Sequence, residues 1–229
     1  PSAREATFDF LCEYNIDVVY CFGWSYLLKQ EILDIAPHGV IGFHPAKLPM
    51  NRGRHPIIWA LALGLEETAS TFFKMDEGAD SGPIISQKLI AIDTSDDATS
   101  LYNKILHVAN EQIKGFTKAL YAGNAEFIEQ NAEQATYWRK RSRKDGLIDW
   151  RMSATSIHNL IRALAPPYPG AEFMLYEQLY AVSSSTLSLN SCAENVEPGK
   201  VISKSDSSLL IKCAGTDAIW LHEIDVTIL

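Results

Sequence analysis

Apolar residues along this chain change their spacing repeatedly, and each change marks an element. The run IDVVYCF at 16–22 is short, continuous and rich in β-branched residues, which predicts a buried parallel strand. Leu27, Leu28, Ile32 and Leu33 follow at helical spacing over 27–35, and HGVIGFH at 38–44 predicts a second buried strand. Such alternation predicts an α/β sheet. Residues 55–64 carry a helical pattern, with Pro56 at the tolerated first-turn position. TASTFFKM at 68–75 and IISQKLIAI at 84–92 read as strands on either side of the Gly- and Asp-rich loop DEGADSGP. Leu101, Ile105, Val108, Ile113, Phe116 and Leu120 have the spacing of a long amphipathic helix over 97–121.

Beyond that helix the pattern thins. The stretch before LIDW holds a basic run and few apolar residues, which predicts a linker at 131–146 between a first domain at 1–130 and a second at 147–229. Ile157, Leu160, Ile161 and Leu164 share one face of a predicted helix at 153–165, with Ser153 as its cap. Short strands then alternate with turns at 170–182, 199–204, 207–213 and 217–227, punctuated by Pro198, Gly199 and Gly215. A small β-barrel is the simplest architecture for them. The Ser-rich patch 183–191 reads as a loose surface loop, and no internal repeat is present.

At 229 residues the chain suits one large domain or two small ones. With 47% hydrophobic and 21% charged residues it is an ordinary globular sequence, which excludes disorder for its bulk. Apolar runs such as IIWALALGL are too short to span a bilayer, so no membrane association is expected. No stretch resembles a secretory signal. The chain starts at Pro1, so either an initiator methionine was removed or this is a fragment.

The net charge of −8 is unevenly spread: residues 1–134 hold 10 basic and 18 acidic residues, and residues 135–229 hold 10 of each. That leaves no global pull toward nucleic acid. The basic run Arg139, Lys140, Arg141, Arg143 and Lys144 reads as a solvated linker. The four cysteines form no C-x-x-C pair and have no His at zinc-ligand spacing, so no metal site is expected. Cys21 sits in an apolar run and is expected in the core, and this cysteine usage fits a reducing cytoplasm.

Candidate chemistry gathers at predicted strand ends. His44 closes a buried strand, where ligands collect in α/β sheets, and an imidazole there can move protons. The plainer alternative is a structural histidine. Asp80 lies in the loop between two predicted strands and could hold the His44 ring, unless Asp76, Glu77 and Asp80 are only turn residues. Arg52 and Arg54 flank Gly53 just after HPAKLP and suit a phosphate or carboxylate, or form a solvated basic turn. Trp24 and Tyr26 could stack on a flat heterocycle or simply pack in the core.

Two separated segments carry a resemblance. GFHPAKLPMNRGRHPIIWAL and TASTFFKMDEGADSGPIISQ resemble the folate-dependent formyltransferases, a family that includes methionyl-tRNA, glycinamide ribonucleotide and amino-sugar formyltransferases. LIDW, IHNLIRALAPPYPGAEF and EPGKVI resemble the C-terminal barrel domain of the tRNA and aminoarabinose enzymes. The likeness runs from about residue 8 to 226. It implies a Rossmann-like formyltransferase domain followed by a small β-barrel domain, and transfer of a formyl group from N10-formyltetrahydrofolate to an amine. It implies that His44 is the catalytic histidine and Asp80 its partner, with His44 carrying a proton from the incoming amine to the leaving folate nitrogen across a tetrahedral intermediate. Folate would lie near Tyr26, Leu27 and Leu28 and touch the backbone of Asp76, Glu77, Gly78, Ala79 and Asp80. Arg54, with Arg52 beside it, would contact the acceptor's phosphate or sugar.

The chain departs from the family pattern twice. Gly42 stands where the family has an oxyanion-stabilising Asn, and such a donor is worth on the order of 10²–10³ in rate. Asn51 is the candidate substitute, with backbone N–H groups or water as alternatives. The family also has further βα units before the strand at 16–22, so the sheet is expected to be partial, with an exposed edge that a partner chain could cover. Three readings stay open. One is an amino-sugar nucleotide formyltransferase, favoured by GFHPAKLPMNRGRHP and the Arg pair. The second is a methionyl-tRNA formyltransferase with residues 139–144 facing tRNA. The third is a non-catalytic relative that binds folate or nucleotide. The aminoarabinose relatives make a homo-oligomer compatible with any of them.

Overall fold

The structure, a computed structural model, describes residues 3–225, with side chains from residue 8 onward. The end of the strand predicted at 217–227 lies outside the described residues. The elements in order are α1 (Ala3–Cys12), β1 (Val19–Cys21), α2 (Gln30–Leu33), β2 (Val40–His44), β3 (Arg52–Gly53), α3 (Pro56–Ala62), β4 (Glu67–Lys74), β5 (Ile84–Ala91) and α4 (Ala98–Tyr121). They continue with β6 (Tyr137–Trp138), α5 (Ala154–Ala163), β7 (Ala171–Leu175), β8 (Gln178–Val182), β9 (Ser185–Ser188), β10 (Val201–Lys204), β11 (Ser208–Lys212) and β12 (Ala218–His222). The chain folds as two compact units that interleave in sequence. The first takes the chain up to Pro56 with Thr68–Ile90 and Lys104–Arg139; the second takes Ile57–Glu67, Ala91–Asn103 and the chain from Lys140 on.

A four-stranded sheet in the order β1-β2-β4-β5 forms the frame of the first unit. β1 and β2 are parallel, Val19 opposite Val40 and Cys21 opposite Gly42, whereas β4 runs antiparallel to β2 with Thr71 opposite His44. Both faces of β4 are covered, which is why its sequence reads as a continuous run rather than an alternation. Phe72 packs with Ile41, Ala109, Phe116 and Leu120 on one face, and Phe73 packs with Leu48 and Ile84 on the other. Ile105, Ala109, Gln112, Phe116 and Leu120 of α4 are all buried, spaced three or four apart on one stripe. β1 is a three-residue edge strand, shorter than the predicted run, and Cys21, expected in the core, is half-buried there.

The second unit joins helices to an antiparallel sheet. Ser153 caps α5 by accepting from the Ser156 N–H, and Ile157, Leu160 and Ile161 are buried where the helix packs on β9 and β12. The sheet order is β10-β11-β12-β9, and β7 and β8 form a separate hairpin. The Ser-rich patch is not a loose loop. Ser185–Ser188 forms β9 and pairs with β12, Leu187 opposite Ile219, so hydroxyl-bearing residues occupy an edge position that composition alone hides. The stretch predicted as a linker is divided: up to Arg139 it belongs to the first unit, where β6 pairs in parallel with β3, and from Lys140 it belongs to the second. No helix among the described residues is long and apolar enough to cross a membrane.

Candidate active site

Three short segments of the first unit converge on the end of β2. His44 closes that strand and is only 5% exposed. The turn that follows is pinned from the sheet: Thr71 Oγ1 donates to the Ala46 carbonyl, and Gln87 Nε2 donates to the Leu48 carbonyl. The chain then reverses through Asn51, at φ +65°, and enters β3. This reversal brings the Asn51 carbonyl to 2.7 Å from His44 Nε2. A carbonyl can only accept, so Nε2 is the donor of this bond.

Nδ1 faces Asp80, whose Oδ2 lies 3.5 Å away, longer than a good hydrogen bond. The same Oδ2 accepts a 2.8 Å bond from the Gly53 N–H. Glycine is required at 53: φ is +103°, and a Cβ would sit 2.4 Å from the Trp138 carbonyl oxygen on β6. Asp80 itself has φ +56°, a left-handed conformation uncommon for a residue with a side chain.

The arginines either side of Gly53 have different fates. Arg54 is half-buried and gives one guanidinium N–H to the Ser25 carbonyl, leaving its other N–H groups without a partner among the described residues. Ser25 lies between Trp24 and Tyr26, which are 53% and 65% exposed and meet edge to face. Leu27 is exposed beside them and Leu28 is half-buried. Arg52, expected to face an acceptor, instead points inward. It is 4% exposed, with Nε and Nη2 on Gln130 Oε1 and Nη1 on the Tyr137 hydroxyl. Residues 52–54 therefore fasten both neighbouring loops, Ser25 through Arg54 and Asp80 through Gly53.

The loop holding Asp76 to Asp80 is stiffened by Asp76 Oδ1, which accepts from the Gly78 N–H and the Ser81 hydroxyl. Glu77, Gly78 and Ala79 are exposed, and the main-chain groups of Glu77 and Ala79 have no partner among the described residues. At Gly42 an added Cβ would lie 2.8 Å from Met75 Cγ and 3.0 Å from Phe73 Cζ. Met75 and Phe73 thus fill the space into which a side chain at 42 would grow. Asn51 reaches His44 through its main chain; its Oδ1 makes only a 3.4 Å contact with Thr136 Oγ1. Gln130 and Thr136, which touch this cluster, were not anticipated, because they lie in a polar stretch without periodicity. Among the described residues, no group of three or more His, Cys, Asp or Glu side chains could hold a metal ion.

Known proteins share this architecture. The structure is similar to that of an N-formyltransferase from Helicobacter canadensis in complex with folinic acid and dTDP-3-aminofucose, with 18% identity, a TM-score of 0.70, and coverage of 89% of this chain and 72% of that one. It is similar to HypX from Aquifex aeolicus in complex with tetrahydrofolic acid, at 17% identity and TM-score 0.73, covering 93% of this chain and 37% of that one. It is similar also to methionyl-tRNA formyltransferase from Clostridium thermocellum, at 22% identity and TM-score 0.66, covering 81% and 79%. At such identities the likeness speaks for the fold. The sequence speaks for the family: the model described as formyl transferase matches residues 2–119, and that described as formyl transferase, C-terminal domain, matches residues 140–227. This chain belongs to the formyl transferase family and is an enzyme of formyl transfer.

Proposed function

We propose that this chain moves the formyl group of N10-formyltetrahydrofolate to the primary amine of a nucleotide-linked amino sugar. The observation that carries the choice of acceptor is where the positive charge goes. The basic run at 139–144 is not a row of free phosphate ligands. Arg141 is 8% exposed, lies 4.6 Å above the Trp59 ring and donates to the Asp145 carbonyl. Arg143 grips both carboxylate oxygens of Glu172, at 2.5 and 2.8 Å. Arg54, by contrast, keeps guanidinium N–H groups available beside two exposed aromatic rings, a fit for a phosphate joined to a flat base. The bound dTDP-3-aminofucose of the Helicobacter canadensis protein supports the same reading.

The residues present fit the donor. Exposed Tyr26 and Leu27 offer apolar surface, and the open peptide groups of Glu77 and Ala79 suit a hydrogen-bonding heterocycle. The folate supplies the formyl carbon that the amine attacks. His44 Nδ1 takes the amine proton, and the Asp80 carboxylate then faces the imidazolium so formed. His44 returns that proton to the departing nitrogen as the new C–N bond replaces the old one. The side-chain amide of Asn51 supplies the donor for charge developing on the formyl oxygen, a role that Gly42 has no side chain to fill and for which Met75 and Phe73 leave no room at position 42. Asn51→Ala is then expected to lower kcat on the order of 10²–10³; unchanged turnover would remove Asn51 from this role.

The acceptor is tested by offering N10-formyltetrahydrofolate with a dTDP-linked amino sugar and, separately, charged initiator tRNA, at 50 and 200 mM salt. A formylated sugar nucleotide whose KM changes only a few-fold is expected. Formylation of tRNA alone, with affinity falling by roughly 10³ or more over that range, would contradict the proposal.

A further inference from the structure

Arg52 sets a problem that formyl transfer as described above does not solve. A guanidinium stays charged in any protein, and burying one without a carboxylate is costly. Arg52 is 4% exposed, and its partners are neutral: Gln130 Oε1 at 2.8 and 3.2 Å and the Tyr137 hydroxyl at 2.9 Å. The charge acts on one amide. With Oε1 held by two N–H groups of Arg52, the orientation of Gln130 is set, and its Nε2 is aimed the other way.

That nitrogen spends both hydrogens on the loop that carries Asp80. Nε2 donates to the Asp80 carbonyl at 2.9 Å and to the Gly82 carbonyl at 2.7 Å. Its own backbone is fixed nearby, because Ile128 exchanges two 2.8 Å main-chain bonds with Ile84 at the start of β5. Asp80 is therefore held from two sides. Gly53, the neighbour of Arg52, binds its carboxylate, and Gln130, the ligand of Arg52, binds its main chain. Both grips originate in β3 and converge on a residue whose φ of +56° is not self-sustaining.

We propose that Gln130 is a positioning residue for the transfer reaction: it relays the buried Arg52 to the Asp80 loop and sets the distance between the Asp80 carboxylate and His44 Nδ1. The proposal rests on the His44–Asp80 reading given above. It is separable from a plain structural role because the two ends of the amide do different work. Gln130→Glu keeps the oxygen for Arg52 and loses both donors to the loop. The double variant Arg52→Met with Gln130→Met removes charge and relay together while keeping volume.

The experiment is steady-state formyl transfer across a pH series for the wild type, Gln130→Glu, the double Met variant and His44→Ala, with thermal midpoints of each. Gln130→Glu is expected to melt a few degrees below wild type, since the loop loses two donors while Arg52 gains a charged partner. Its kcat should fall ~10- to 100-fold, the loss a misplaced catalytic group produces, with each KM within about threefold and the acidic limb of the kcat profile displaced. The double Met variant should show the same kcat loss. Wild-type kcat and pH profile in Gln130→Glu or in the double variant, with His44→Ala inactive, would overturn the proposal and leave the His44 reading standing. An active His44→Ala would overturn that reading, and the proposal with it.

Discussion

The two units use the same costly devices for different ends. Each buries a cation that has no carboxylate partner among the described residues, and each contains residues with side chains in left-handed backbone conformations. In the second unit, Lys212 is 1% exposed and its ammonium donates to the Cys213 and Gly215 carbonyls, closing the turn between β11 and β12. Its left-handed residues sit at turns as well: Tyr176 and Glu177 make the reversal between β7 and β8. In the first unit, buried Arg52 holds Gln130, and left-handed Asn51 and Asp80 carry the carbonyl and the carboxylate that face the two nitrogens of His44. Unusual backbone and buried charge thus coincide with the proposed reactive centre only where they converge on a titratable side chain. Elsewhere they finish a turn.

The comparison is broken most severely by Asp80→Asn. It removes the carboxylate that faces His44 but keeps an acceptor for the Gly53 N–H, so kcat should fall by 10²–10⁴, on the order of a general acid–base contribution, with little change in thermal midpoint. Gly53→Ala should damage both properties. The Cβ meets the Trp138 carbonyl in a conformation alanine avoids, at a cost of about 1–3 kcal/mol, and Asp80 loses its anchor; calorimetry and turnover should fall together. Lys212→Met should do the reverse of Asp80→Asn. The Cys213 and Gly215 carbonyls lose their donor, the first of them in a buried residue, lowering stability by ~1–3 kcal/mol in denaturant titration while kcat of the folded enzyme is unchanged.

The smallest effect is expected at His158 on α5. Burial, and then the neighbouring Arg162 charge, push its pKa below the ordinary 6.5. The unfolded chain therefore binds the proton more readily than the folded one. Stability from this group is present above about pH 6.5 and is lost as pH falls from there through the folded value. His158→Gln should flatten that part of the stability–pH curve without moving the pH profile of transfer.

Most elements were legible because they are written as periodicities: the α4 stripe, the two-sided burial of β4 and the Ser153 cap each leave a local signature. The Ser-rich strand β9 was not, because pairing with β12 overrides the weak strand preference of serine at an edge. The approach of His44 and Asp80 could be expected from strand ends and motif likeness, and the structure places them 3.5 Å apart. The inward turn of Arg52 could not, because an Arg-Gly-Arg run carries no sign of which guanidinium is buried. That depends on Gln130, 78 residues away, in a stretch with no hydrophobic pattern. Nor could the closure of the Gly42 space by Met75, which lies on the neighbouring strand's continuation.

The central claim is that a proton passing through His44 drives formyl transfer without a side-chain donor at position 42. Its most direct test is mass spectrometry of amine acceptors incubated with N10-formyltetrahydrofolate and the purified chain, wild type beside His44→Ala. The account predicts a gain of one formyl mass on a nucleotide-linked amino sugar with the wild type, and its loss in the variant. The same gain with His44→Ala, or none on any amine with folded wild-type chain that still binds folate, would contradict it.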